Sequence, residues 1–111
     1  MLFHLALASD WERAEKAGEY RMSTLGVTLE EEGFIHASAD MDQVNGVAER
    51  FYRGVAEPLV LLAVDESLLG CPVKFEVPEG TTEAFPHIYG PIPTTAVLTA
   101  TPFTPTPTPL A

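Results

Sequence analysis

Apolar and polar positions along the chain mark out a series of short segments. Residues 2–7, LFHLAL, alternate poorly but are short and apolar, which predicts a mostly buried strand. SDWE follows. Ser9 and Glu12 have the spacing of a capping box, so a short helix is predicted there, with Trp11 and Ala14 on one face and Gly18 as its stop. Residues 19–32 predict a short strand and a turn, with the run Glu30-Glu31-Glu32 as a solvated face. Residues 34–38 read as a strand in which period two puts Phe34, His36 and Ser38 on one side, Ile35 and Ala37 on the other.

Asp40 and Gln43 repeat the capping-box spacing at the head of a second helix. Val44, Val47, Ala48 and Phe51 then recur at i, i+3, i+4 and i+7, the stripe of a helix facing a core. PLVLLAV, residues 58–64, is the most hydrophobic segment and predicts a central strand. Val73, Phe75 and Val77 alternate with Lys74 and Glu76, as in a half-buried strand with the apolar residues inward. Pro78-Glu79-Gly80 is a turn, and the β-branched run at 94–101 a last strand. Beyond it threonine alternates with proline, which forms neither helix nor central strand. The division is therefore a single α+β domain at 1–101, short helices on a largely antiparallel sheet, and a Pro/Thr-rich tail at 102–111, either frayed or a ligand for a proline-recognising domain.

Composition narrows the function classes. The 111 residues suit one domain, and 46% hydrophobic residues supply a core without disulfides. The single cysteine, Cys71, excludes an intrachain disulfide and reads as a small unreactive side chain; a reducing, cytoplasmic setting is the default expectation. Sixteen acidic residues against six basic ones give a net charge of −10, which repels phosphate backbones and argues against general nucleic-acid binding. Arg50 and Arg53, on a helix that also carries Glu49, come nearest to a local basic pocket. No apolar run approaches a membrane span, and the first residues lack the positive region of a signal peptide.

Two histidines stand out. His36 shares its strand face with Ser38 and precedes a helix N-terminus, whose N–H groups favour polar or anionic ligand atoms. A hydrogen-bonded edge or core histidine is the plainer alternative. His87 sits in FPHIYGPIP behind the stiff Pro86, with Phe85 and Tyr89 on its side if the segment is extended. That is either a stacking wall for a planar ligand or a packed turn. Glu76 would serve as a general base or steady developing positive charge in a cleft, and faces water otherwise. His4, His36 and His87 are widely separated, with no H-x-H, no H-E-x-x-H and no paired cysteine, so no metal site is predicted. There is no nucleophile elbow, phosphate loop or dinucleotide fingerprint.

GFIHAS, Gln43, FYRG at 51–54, LVLLAVD at 59–65, Phe75-Glu76 and FPHIYGPIP, with Trp11, Gly18 and Tyr20 ahead of them, stand in an order that closely resembles a small bacterial family, domain of unknown function 952, over residues 2–98. That family is distantly similar to the ADP-ribosyltransferase and RNA 2′-phosphotransferase fold. The resemblance implies a compact α+β domain with a split, mainly antiparallel sheet and a cleft that in active relatives holds NAD. It carries over to His36, Ser38, Glu76, His87, Tyr89 and Gly90. Phe75 departs from the pattern, which commonly has tryptophan there; a smaller aromatic would widen a pocket or only repack it.

The resulting expectation is a cleft for a nucleotide-like small molecule, with NAD as a possible substrate and no resident cofactor. His36, Ser38, His87, Tyr89 and Gly90 would bind it. His36 would orient a ribose hydroxyl or phosphate, Tyr89 would stack on a flat ring, and His36 and Glu76 would be catalytic in ADP-ribosyl transfer. The alternative is a non-catalytic ligand-binding or interaction module. Either ligand-binding version requires His36 and His87 to converge.

Overall fold

The computed structural model describes residues 1–105. In chain order the elements are β1 (Leu2–Leu7), α1 (Ala8–Ala17), β2 (Glu19–Tyr20), β3 (Met22–Thr24), β4 (Val27–Thr28), α2 (Leu29–Glu32), β5 (Ile35–His36), α3 (Met41–Phe51), β6 (Leu59–Val64), β7 (Val73–Glu76), β8 (Phe85–Ile88), β9 (Ile92–Pro93) and β10 (Val97–Phe103). All strand pairings among them are antiparallel. One three-stranded sheet has the order β1-β6-β10 and another the order β5-β8-β7; β2-β9 and β3-β4 are two-stranded. The α+β class is as the alternating pattern predicts.

The poor alternation of β1 now has a physical cause: both of its faces are buried. Leu2 and Ala6 join a core with Tyr20, Ile35, Leu62, Val64 and Ile88, while Leu5 joins a second one with Val44, Ala48, Tyr52 and Leu59 under α3. β6 divides its side chains between the same two clusters and is central in its sheet, as its hydrophobicity predicts. Each fully buried leucine or isoleucine contributes about 1.5–3 kcal/mol. A single bridge ties the two large sheets together: the Phe3 N–H donates to the Ser38 carbonyl at 2.8 Å and the Ser38 N–H to the Phe3 carbonyl at 2.7 Å.

Three local expectations need correction. No Ser9–Glu12 capping box forms, because α1 starts at Ala8 with Leu7 at its N-cap. The orphan donors are satisfied from across the chain: the Ser9 N–H and hydroxyl both donate to Glu57, and the Ala8 N–H to the Pro58 carbonyl. At α3, Asp40 does accept the Gln43 N–H, but the stripe ends early: Phe51 is 57% exposed and Tyr52 is buried instead, its hydroxyl donating to the Leu5 carbonyl. Phe75 on β7 and Val77 just past its end lie in solvent, 57% and 56% exposed. Phe75 shares its row with Val73, which packs against the core beside Ile88, but it stands farther along an edge strand where the core no longer covers that face.

β10 continues two residues past the predicted strand end, Pro102 opposite Val60 and Phe103 opposite Leu59. This is an edge position, where a proline costs no ladder bond that the sheet needs. Residues 106–111 of the expected tail lie outside the described residues. No helix among the described residues is long and apolar enough to cross a membrane.

Candidate functional site

The site grows out of register. In β5-β8-β7, Ile35 stands opposite Ile88 and His36 opposite His87, while Lys74 faces His87 and Glu76 faces Phe85. Residues opposite one another share a sheet face. Ile35 and Ile88 thus enter the core, and His36, His87, Glu76, Lys74 and Phe85 share the other face. The two imidazoles converge, ring centroids 5.0 Å apart and nearly perpendicular. Phe34 joins them, stacked on His87 at 4.0 Å and edge-on to His36 at 4.9 Å.

Each ring is held by a carboxylate. The His87 Nδ1–H donates to Glu76 Oε1 at 2.8 Å, and the Tyr89 hydroxyl donates to the same oxygen. These bonds, that of Tyr89 first, keep the Glu76 carboxyl below its ordinary range and raise the Tyr89 phenol. His36 Nε2–H donates to Glu32 at 3.1 Å. Burial lowers the His36 pKa more than Glu32 raises it, and nearby His87 lowers it further. His36 is therefore biased to the neutral ring, and with Nε2 as donor its Nδ1 is an acceptor. The third acid of the Glu30-Glu31-Glu32 run is thus a partner of His36 and not only solvated surface. It is placed by the short helix α2, whose N-cap Thr28 and Glu31 form a reciprocal capping box.

Below His36 lies His4, which is not a site residue by exposure. It is 3% exposed, its Nδ1–H donates to the His36 carbonyl, and its Nε2 accepts from the Tyr20 hydroxyl at 3.0 Å. Burial pulls its pKa down from 6.5 to about 4. Among the described residues no group of three or more His, Cys, Asp or Glu is arranged to hold a metal ion.

A cavity of about 400 Å³ opens beside His36. Leu25 of the β3–β4 turn, Val47 and Phe51 of α3, Pro78 and Phe85 give it apolar walls, and His36, Arg50, Tyr52 and Glu79 supply its charged or titratable groups. Gln43, mostly buried, ties the β7–β8 loop to α3. Its amide donates to Glu83 and to the Ala84 carbonyl, and its carbonyl takes the Ala39 N–H.

Of the predicted residues, His36 alone is among the cavity walls. His87 stands behind it, 3% exposed, with Nε2 buried and unpartnered. Tyr89 spends its hydroxyl on Glu76 and has the Lys74 ammonium 4.9 Å from its ring centroid. Ser38 is buried at the bridge to Phe3. Gly90 leaves no room for a side chain: a Cβ there would stand 2.7 Å from the Cys71 Cβ and 2.9 Å from its Sγ. Gly90→Ala should cost roughly 1–3 kcal/mol by overpacking. In urea denaturation Cys71→Gly should relieve that cost and Cys71→Ala, which keeps the Cβ, should not; equal losses in both backgrounds would exclude this contact as the cause. Phe34, Glu32 and the cavity lining at Leu25 went unmarked in the sequence. Phe34 lies inside GFIHAS and Glu32 directly before it, and their aromatic and acidic types beside a histidine were the available signal.

Residues 5–100 match the family described as "Protein of unknown function (DUF952)". The chain is also similar to protein CC0527 from Caulobacter crescentus. Its crystal structure shares 32% identity at a TM-score of 0.75, over 91% of this chain and 83% of that one. Its solution NMR structure shares 32% identity at a TM-score of 0.70, over 89% and 80%. No curated protein matches the chain.

Proposed function

The chain belongs to the DUF952 family, and on that footing we propose that it is a small-molecule-binding protein whose ligand is nucleotide-like, with NAD the leading candidate and His36 the residue that orients it. The observation that carries this reading is the position of His36, at once in the wall of a 400 Å³ cavity and fixed from behind by Glu32 and the His87 ring. Ligand sites are mostly apolar hollows with a few convergent polar groups, and this one fits the description. A neutral His36 offers Nδ1 as acceptor, so it would accept a hydrogen bond from a hydroxyl, as of ribose, in preference to donating to a phosphate. NAD enters through the resemblance to the ADP-ribosyltransferase fold, an argument by analogy.

The finer form of the proposal is transfer of ADP-ribose, with Glu76 steadying the positive charge that develops on the ribose. Glu76 is held ionised, as that role needs, but it is committed to Tyr89 and His87 and is not among the cavity walls. This favours binding without catalysis as the reading to test first. Calorimetric titration with NAD should give saturable binding that His36→Ala weakens at least tenfold, with no free nicotinamide released over hours. Nicotinamide release lost in Glu76→Gln, with the ADP-ribosyl group recovered on an acceptor nucleophile and not as free ADP-ribose, would establish transfer instead. Absence of heat at millimolar NAD would remove NAD as the ligand.

A further inference from the structure

Among the described residues, Arg50 is the only lysine or arginine in the walls of the cavity. It makes no ion pair among the described residues, whereas Arg13 and Arg21 each bind a carboxylate. Arg53, Lys16 and Lys74 are likewise without an ion pair among the described residues, so what sets Arg50 apart is its place in the wall of a largely apolar hollow. The nearest specific contact of its guanidinium is the Phe51 ring, 5.8 Å from the centroid, which leaves the fork of N–H donors free. Glu79 lines the same cavity and does not pair with it, so the two charges remain available to a ligand separately.

Size adds a second constraint. Sites that enclose a drug-sized molecule run from about 300 to 1,000 Å³, and 400 Å³ lies near the lower end. One nucleotide unit fits such a volume; a dinucleotide would leave about half of itself outside. Building on the nucleotide-binding reading above, we infer that the cavity selects a compact organic anion, a nucleoside monophosphate in size and charge, and that Arg50 is the specificity-determining anchor for its phosphate. The planar guanidinium donates to two phosphate oxygens at once, which lysine does not reproduce. The sugar hydroxyls then lie toward His36 Nδ1 and the base against Phe51, Phe85 and Leu25. For NAD the same arrangement seats one phosphate-bearing half and leaves the other in solvent.

The test compares adenosine, AMP and NAD by calorimetry on the full chain, as wild type, Arg50→Gln and Arg50→Lys. Arg50 is exposed, so its replacement should leave the melting temperature unchanged, which separates binding from folding. We expect AMP to bind wild type at least tenfold more tightly than adenosine, and NAD no more tightly than AMP. In Arg50→Gln the AMP-to-adenosine ratio should fall below twofold with adenosine affinity retained, and in Arg50→Lys it should be intermediate. Persistence of the full ratio in Arg50→Gln, or a wild type that does not discriminate, overturns the inference while leaving the ligand site standing. Loss of adenosine binding together with AMP binding in Arg50→Gln also overturns it, since the residue then shapes the cavity and does not read charge. Failure of all three compounds to bind wild type overturns both the inference and the nucleotide reading beneath it.

Discussion

Acidification from pH 7 to pH 4 should remove about 3 kcal/mol of folding stability through His4 alone. In the folded chain His4 resists protonation until about pH 4, against 6.5 when unfolded, because burial strips the cation of water. Between those values the unfolded chain binds the extra proton, so stability is complete above pH 6.5 and falls as pH drops toward 4. The window is separable from ordinary acid effects. The depressed carboxyls of Glu30, Glu57, Asp65 and Glu76 begin to lose their contributions only as pH falls into the usual carboxylate range, so the decline between about pH 6.5 and 5 belongs to the histidines. The lowered pKa of His36 acts in the same direction as that of His4 and adds to it. For a domain stable by about 5–15 kcal/mol, the loss is a large fraction of the total. Urea midpoints measured from pH 7 to 4.5 should decline steeply in wild type. His4→Gln should be weaker at pH 7, since the Tyr20 hydroxyl and the His36 carbonyl lose their fitted partner, yet its decline should be shallower by nearly one proton. Parallel declines would show that His4 titrates normally and that its buried bonds are not as described.

The second large effect separates the two clustered histidines. His87→Ala should cost roughly 2–4 kcal/mol, since it empties a buried site and removes the ring stacked on Phe34. His87→Phe keeps an aromatic ring there, discards the unpartnered Nε2 and gives up only the bond to Glu76, so its cost should be roughly 1 kcal/mol. His36→Ala, at a partly exposed position with one carboxylate partner, should cost under about 1 kcal/mol. Ligand binding should show the reverse order, with His36→Ala losing it and His87→Phe keeping it. Equal destabilisation by His36→Ala and His87→Ala would mean that both rings are structural.

The contrast explains how far the sequence could be read. Strand alternation placed Phe34, His36 and Ser38 on one face, and the apolar run at 59–64 announced the central strand β6. What brings His36 to His87 is the pairing of β5 with β8, a register that no local pattern encodes. The same limit accounts for the misread start of α1, where Ser9 and Glu12 have the right spacing but Glu57, 48 residues away, is the partner Ser9 takes. Arg50 was visible as a cation on a helix, yet the walls that make it a cavity residue come from the β3–β4 turn and the β7–β8 loop, segments with no periodicity to interpret.

The most direct measurement is an amide shift map of the labelled protein titrated with AMP. Perturbations gathered at Leu25, His36, Val47, Arg50 and Thr81 would mark the hollow beside His36 as the place where ligand sits. Shifts spread along β10 around Thr101, or none at millimolar concentration, would contradict that assignment.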